Sequence, residues 1–400
     1  MSEQPPVLDL DPFSREFLLD PYRFHEQIRE AGPVVYLQRY GIWGLARYEQ
    51  VHATLNRWQL FCSSAGVGLA DFRKQTPWRR PSLLLENDPP AHTPFRTAIT
   101  TVLSRRALAA LRPAFHQEAT RLVTSLLERG TFDAMKDLAQ AFPLKVFPDA
   151  VGLDASGREH LLTYGDLTFN AFGPRNNLVE TSMRHLESVS AWIASRCRRE
   201  ALNPGGLGAQ LYGEADAGRV TEEEAALLVR SLLTAGVDTT VYALSAALVC
   251  LVRNRDQWQL LRNDPARARA AFDEAIRLES PVQTFFRTTA EDTQLGSIPI
   301  PGGSKILMFL GAANRDPRRW VDPDRYDLSR NTSGHVGFGA GLHTCVGQMI
   351  ARLEAEVLLS ELARRVESFD PLDEPVPHLN NTLRGWEHWQ VRVRAAPEAA

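Results

Sequence analysis

Apolar positions recur at helical spacing along most of the chain, and the exceptions are few enough to locate. Residues 21–31 carry a helix that stops at Gly32-Pro33. Two alternating runs follow, 34–38 and 42–46, split at Tyr40-Gly41, and they predict a small hairpin. From about residue 48 the helical period dominates, punctuated by proline and glycine at 77–81, 88–90, 204–208 and 280–281. Later strands fit 288–309, around the Pro301-Gly302-Gly303 turn. Thr221-Glu222-Glu223-Glu224 is a capping box opening a helix to about Leu251, roughly 45 Å at 1.5 Å per residue. A last amphipathic helix covers 348–359, with Met349, Ile350, Leu353 and Val357 opposite Arg352, Glu354 and Glu356. The pattern predicts a mainly α fold with a minor β part, one domain over residues 1–400 with a flexible segment at 1–15.

Charge and cysteine usage narrow the function. The net charge is −3 and no basic run is interleaved with aromatics, so nucleic acid is not an expected partner. Residues 1–12 are acidic and proline-bearing, unlike a signal peptide, and no run of eighteen apolar residues occurs. A cytoplasmic protein without membrane contact is expected. The four cysteines, Cys62, Cys197, Cys250 and Cys345, form no C-x-x-C pair and no zinc spacing, which excludes a disulfide framework or iron–sulfur cluster as the working chemistry.

One cysteine stands apart. Phe338-Gly339-Ala340-Gly341-Leu342-His343-Thr344-Cys345-Val346-Gly347 places a thiol in a glycine-rich turn at a helix N-terminus, where amide N–H groups and the dipole favour the thiolate. Gly339, Gly341 and Gly347 suit positive φ or close approach to a flat group. This stretch resembles the cysteine loop of the cytochrome P-450 superfamily at every fixed position. The resemblance implies that Cys345 is the axial thiolate of heme b (iron protoporphyrin IX), with Phe338 and Gly339 beside it. It also implies propionate ligands at His92 and Arg96, in Asp88-Pro89-Pro90-Ala91-His92-Thr93-Pro94-Phe95-Arg96, and at Arg287 and His343. Pro94 departs from the usual polar residue and leaves the start of that helix open.

The middle of the long helix, Ala235-Gly236-Val237-Asp238-Thr239-Thr240, is a poor choice for a helix interior and marks a functional position. The resemblance implies an oxygen-binding groove there: Gly236 opens the helix, and Asp238 and Thr239 deliver protons. Glu274-Ala275-Ile276-Arg277 pairs a carboxylate with a guanidinium three residues on, and the family buries that pair together with an arginine, here Arg325 of Pro323-Asp324-Arg325-Tyr326. No dinucleotide fingerprint lies between a strand and a helix, so dioxygen reduction requires a separate ferredoxin and ferredoxin reductase. Arg105, Arg106 and Arg352 offer positive charge for docking.

Resemblance to bacterial members that oxidise para-substituted benzoates, typically demethylating 4-methoxybenzoate, extends over almost the whole chain. It is carried by Trp78-Arg79-Arg80-Pro81-Ser82, Phe169-Asn170-Ala171-Phe172-Gly173-Pro174 and Arg230-Ser231. It implies that Arg79, Ser82 and Ser231 hold a small aromatic carboxylic acid, with Arg230 nearby. Leu85, Phe169, Phe172, Ala235, Val282 and Phe285 would surround the ring. Ser231, Ala235 and Asp238 fall on one helical face. Two other readings stay open: the same chemistry on another small hydrophobic molecule, and a heme-thiolate sensor without turnover.

Overall fold

The computed structural model describes residues 4–397. Pro21 precedes helix α1, Tyr22–Ala31, because its missing N–H is no loss there and its φ of −74° is already helical. The hairpin forms as expected, from β2, Val35–Leu37, and β3, Ile42–Leu45, with Tyr36 opposite Trp43. Ahead of it β1, Val7–Leu8, lies parallel to β2, and Leu10 and Phe13 are buried. Residues 4–15 therefore depart from the expected flexible segment by docking on the sheet.

The main sheet adds β4, Phe61–Cys62, β5, Thr284–Thr289, and β6, Lys305–Phe309, in the order β1-β2-β3-β6-β5-β4. Strand β6 is buried along its whole length. Its two-residue period sends Ile306 and Met308 into one apolar cluster and Leu307 and Phe309 into another, so both faces of the sheet are covered.

The larger layer is helical. Helices α2, His92–Val102, α3, Arg105–Arg129, and α4, Glu159–Asn170, come first. They are followed by α5, Glu222–Gly236, α6, Asp238–Arg253, α7, Ala268–Glu279, and α8, Gln348–Arg365. Pro94 is accommodated in the first turn of α2. The single long helix expected from the capping box is thus two helices separated at Val237, φ −100° and ψ −68°. The span Glu222–Arg253 is long and apolar enough to cross a membrane, but 72% of its most apolar window is buried inside the fold. Helix α6 packs on α7, α7 on α8, and α8 on α3.

One ion cluster ties these layers together. Glu274 and Arg277 on α7 are fully buried and exchange two hydrogen bonds of 2.7 and 2.8 Å. Arg277 also donates to the carbonyls of Asn314 and Pro323, at 2.8 and 2.7 Å. The third charge is not that of Arg325, whose side chain is exposed and which contributes only its carbonyl. Arg330 takes the place instead, its Nε 2.9 Å from Glu274 Oε1. The turn between them brings the later arginine back over the carboxylate.

Removing one member strands a buried charge, so Glu274→Gln is expected to cost about 3 to 5 kcal/mol in denaturant unfolding. Arg253→Ala, which breaks the exposed Arg253–Glu374 pair, should leave the midpoint unchanged.

Candidate active site

The cysteine loop is shaped by its own backbone. Cys345 N–H donates to Phe338 O at 2.8 Å, and Gly339 N–H to Val336 O at 2.9 Å. Gly339 and Gly341 have φ of 69° and 66°, and a Cβ on Gly341 would lie 2.7 Å from Leu55 O. Gly347 has a φ of −82°, outside the left-handed region, and the protein atoms nearest a Cβ there are 3.9 Å away. The loop rests on α7, where a Cβ on Gly337 would meet Ile276 at 2.4 Å. It is tied to the buried ion cluster through Asn314, whose Oδ1 accepts from Val336 N–H at 2.8 Å.

Cys345 lies deep in the molecule with its side chain open toward one cavity of about 260 Å³. Burial pushes its thiol up, against the amides of Gly347 and Gln348 and the charges of Arg96 and Arg352. The amides at the helix terminus thus favour the thiolate, as expected, and a cation bound at the sulfur would supply what burial removes.

The same cavity carries unmatched cations. Arg96 and Arg287 line it, and neither forms an ion pair among the described residues. Burial lowers both, Arg287 to about 10, and Arg287 is bonded only through Nη1 to Phe286 O at 2.8 Å. His343 also lines the cavity, its Nε2 3.3 Å from Asp88 Oδ1. His92 does not reach the lining; it packs edge-on against His343 with ring centroids 4.9 Å apart. Both ring nitrogens of His92 are buried without partners, and burial lowers it to about 4. Buried cations and orphaned donors beside an open thiol fit a flat group that bears a metal at its centre and carboxylates at its rim.

A second part of the lining is aromatic. Phe169 and Phe172 meet edge to face at 5.7 Å, and Phe172 tilts against Phe285 at 5.8 Å. Leu85 and Val282 pack on this cluster, and Ser231, Ala235 and Ser82 complete it. Ser231 Oγ donates back to Leu227 O at 2.9 Å. Arg79 lines the cavity with its side chain 13% exposed, but it is already paired: Nη1 donates to Glu86 Oε2 at 2.9 Å. Glu86, absent from the expected set, also accepts from Ser82 N–H at 2.7 Å. Arg230 lines the cavity too and donates to Arg80 O at 2.8 Å.

The helix break follows from packing and side-chain bonding. A Cβ on Gly236 would lie 2.3 Å from the Phe147 ring, so only glycine fits. Thr239 faces the cavity while its Oγ1 donates to Ala235 O at 2.7 Å, and Thr240 does likewise to Gly236 O at 3.1 Å. Asp238 is different. Its carboxylate is buried, unpartnered and outside the cavity lining, pressed against Gly165 of α4, where a Cβ would sit 1.8 Å from Oδ2. Burial, then the charge of Asp166, hold it well above the usual carboxylate range.

Arg105 and Arg106 are exposed, whereas Arg352 is committed: it donates to Asp273 at 2.7 Å and lies 4.5 Å from the Phe338 ring centroid.

A family model described as Cytochrome P450 matches residues 207–385. Cytochrome p450 CYP199A2 of Rhodopseudomonas palustris is 53% identical over 98% of this chain and 95% of its own length. Cytochrome P450 107B1 of Saccharopolyspora erythraea is 33% identical over 97% and 99%. Among solved structures, cytochrome P450 CREJ in complex with (4-ethylphenyl) dihydrogen phosphate superposes with a TM-score of 0.87. It is 26% identical, covering 96% of this chain and 99% of that one.

Because Arg287 carries an unmatched buried charge, Arg287→Met should act with opposite signs on the two forms of the protein. Thermal unfolding of the heme-free form should shift upward, while heme retention in competition with apomyoglobin should fall. A fall in both would contradict an anionic partner for this arginine.

Proposed function

The chain belongs to the cytochrome P450 family of heme monooxygenases, with Cys345 as the axial ligand, and from that premise we propose that its substrate is a small para-substituted aromatic carboxylic acid. The reaction we assign is O-demethylation of 4-methoxybenzoate to 4-hydroxybenzoate and formaldehyde. The observation that carries this is the charge in the aromatic part of the cavity. Arg79 and Arg230 reach it against one carboxylate, Glu86, which leaves one positive charge in excess among phenylalanines. A ring bearing a single carboxylate supplies what is missing. The CREJ complex supports this, since its ligand is a para-alkylated ring with an anionic head group.

Bound heme supplies dioxygen activation and oxidation of an unactivated C–H bond. The protein's part is position and protons. Ser231 on α5 and Thr239 on α6 line the same cavity on either side of the break at Val237, and one substituted ring lying between them would join the two. A carboxylate held by Arg79, Ser82 and Ser231 would set the para group beside Thr239. Ser231 must turn its hydroxyl from Leu227 O to donate, and the ring lies among Phe169, Phe172, Val282 and Phe285. Orientation of one C–H bond, more than tight binding, is what such a clamp contributes.

Two protons and two electrons are consumed for each dioxygen, one oxygen atom leaving as water. Thr239 faces the cavity, and its hydroxyl, once turned from Ala235 O, would be the group that donates a proton there. Asp238 stores a proton because burial keeps it neutral, and it must swing away from Gly165 to reload Thr239. Electrons come from a separate ferredoxin and its reductase, and the chain works in the cytoplasm.

Turnover of 4-methoxybenzoate should exceed that of 4-methoxybenzamide by about 100-fold or more in kcat/KM, because the amide leaves the excess charge unpaired. Comparable rates would exclude the clamp. In Thr239→Ala, reductant should still be consumed while peroxide replaces product; full coupling of reductant to product would remove Thr239 from proton delivery.

A further inference from the structure

Glu86 has no place in the chemistry just described, yet it is the carboxylate with its side chain 1% exposed beside the substrate end of the cavity. It ends the short turn that begins at Ser82, its own N–H donating to Ser82 O at 3.1 Å. One oxygen, Oε2, collects both the Ser82 N–H at 2.7 Å and Arg79 Nη1 at 2.9 Å. The two residues assigned to the substrate head group are thus held by one internal anion. Arg79 Nε stays buried and unpartnered, its guanidinium lies 5.5 Å from the Trp78 ring centroid, and Nη1 also donates to Arg80 O at 3.0 Å, so Glu86 is the one charged group that holds it among the described residues.

We propose that Glu86 is the specificity-determining residue of this site: it positions Arg79 and limits the head group to one negative charge. The proposal rests on the reading of the cavity as a site for an aromatic anion. With Glu86 ionised, Arg79 is balanced and only the charge of Arg230 is free to match a ligand. A second negative charge on the head group would face Glu86 with nothing to neutralise it. Two like charges at such separations in a partly desolvated site weaken binding by about tenfold or more. Glu86 touches neither the heme site nor the reacting carbon, so it is a positioning residue and not a catalytic one.

The charged and titratable groups that face Glu86 are few. Arg79 is on its own turn, Arg230 on α5 and Tyr164 on α4; Lys305 on β6 also feels its charge. Burial lowers Lys305 to about 8 and raises Tyr164, so Tyr164 stays protonated between about pH 5.5 and 7.5, and the parallel 4-methoxybenzoate profile reports any loss of charge at Lys305 near the upper end.

The test exploits a ligand that gains its second charge in this window. 4-Methoxyphenyl phosphate passes from monoanion to dianion near about pH 6, whereas 4-methoxybenzoate is singly charged throughout. Dissociation constants of the heme-loaded protein for both are measured across the window from the change in heme absorption. In the wild type, the constant for the phosphate should rise about tenfold with pH while that for the benzoate stays flat. Glu86→Gln keeps an oxygen for Ser82 N–H and Arg79 but removes the charge, and there the rise should vanish or reverse. Glu86→Asp, which keeps the charge, should restore it. A flat phosphate profile in the wild type, or equal slopes in wild type and Glu86→Gln, would overturn the assignment. If the wild type binds neither ligand, the aromatic-anion reading fails first and this proposal falls with it.

Discussion

Glu274 and Arg277 lie side by side with no exposure to solvent, and the rest of the site hangs from them. Arg277 fixes the carbonyl of Asn314, Asn314 fixes Val336, and Val336 accepts the first hydrogen bond of the loop that carries Cys345. Ile276, between the two charged residues, is the surface on which Gly337 rests. A chain of three hydrogen bonds thus runs from a buried salt bridge to the sulfur's loop. In a low-dielectric interior such a network is costly if incomplete and rigid if complete, and here Arg330 supplies the charge that completes it.

The cavity repeats one physical theme at two places. Around Cys345, Arg96, Arg287 and the orphaned nitrogens of His92 await carboxylates at the rim of a flat group. Near Phe169 and Phe172, Arg79 and Arg230 await one more negative charge than Glu86 provides. Both are deficits of negative charge in a buried setting, where an unmatched cation is expensive. The cofactor meets the first deficit, and the substrate carboxylate proposed above would meet the second. Thr239 stands between them just after the break at Val237, beside Gly236, where Phe147 leaves no room for a Cβ.

How much of this was legible in the sequence depended on how local each feature is. The cysteine loop, the capping box at Thr221 and the Glu274–Arg277 pair are written within a few residues, and each takes the form its spacing predicts. Features set by distant packing were hidden. The weak helix formers at 235–240 mark an opening near Gly236, but the packing of Phe147 against that glycine and the full separation into two helices belong to the fold. Asp238 turns toward Gly165 because only a glycine on α4 leaves room for it. Arg325 is the expected third member, and only the turn that follows it shows Arg330 folded back onto Glu274 instead. Glu86, seven residues from Arg79 in a loop, has the pattern of a solvated charge and is instead buried. Within the loop, Gly341 is obligatory for the approach to Leu55 O, a contact with a helix end far away in the chain.

The proposed site uses a carboxylate, held by a buried arginine, to seat an aromatic ring over the Cys345-ligated heme. Optical titration of the ferric protein with 4-methoxybenzoate, and separately with its methyl ester, tests it most directly. A low-spin to high-spin shift of the Soret band with the acid, and none with the ester at equal concentration, is the result expected. An equal shift with both would contradict the charge-matched site while leaving the heme-thiolate assignment intact.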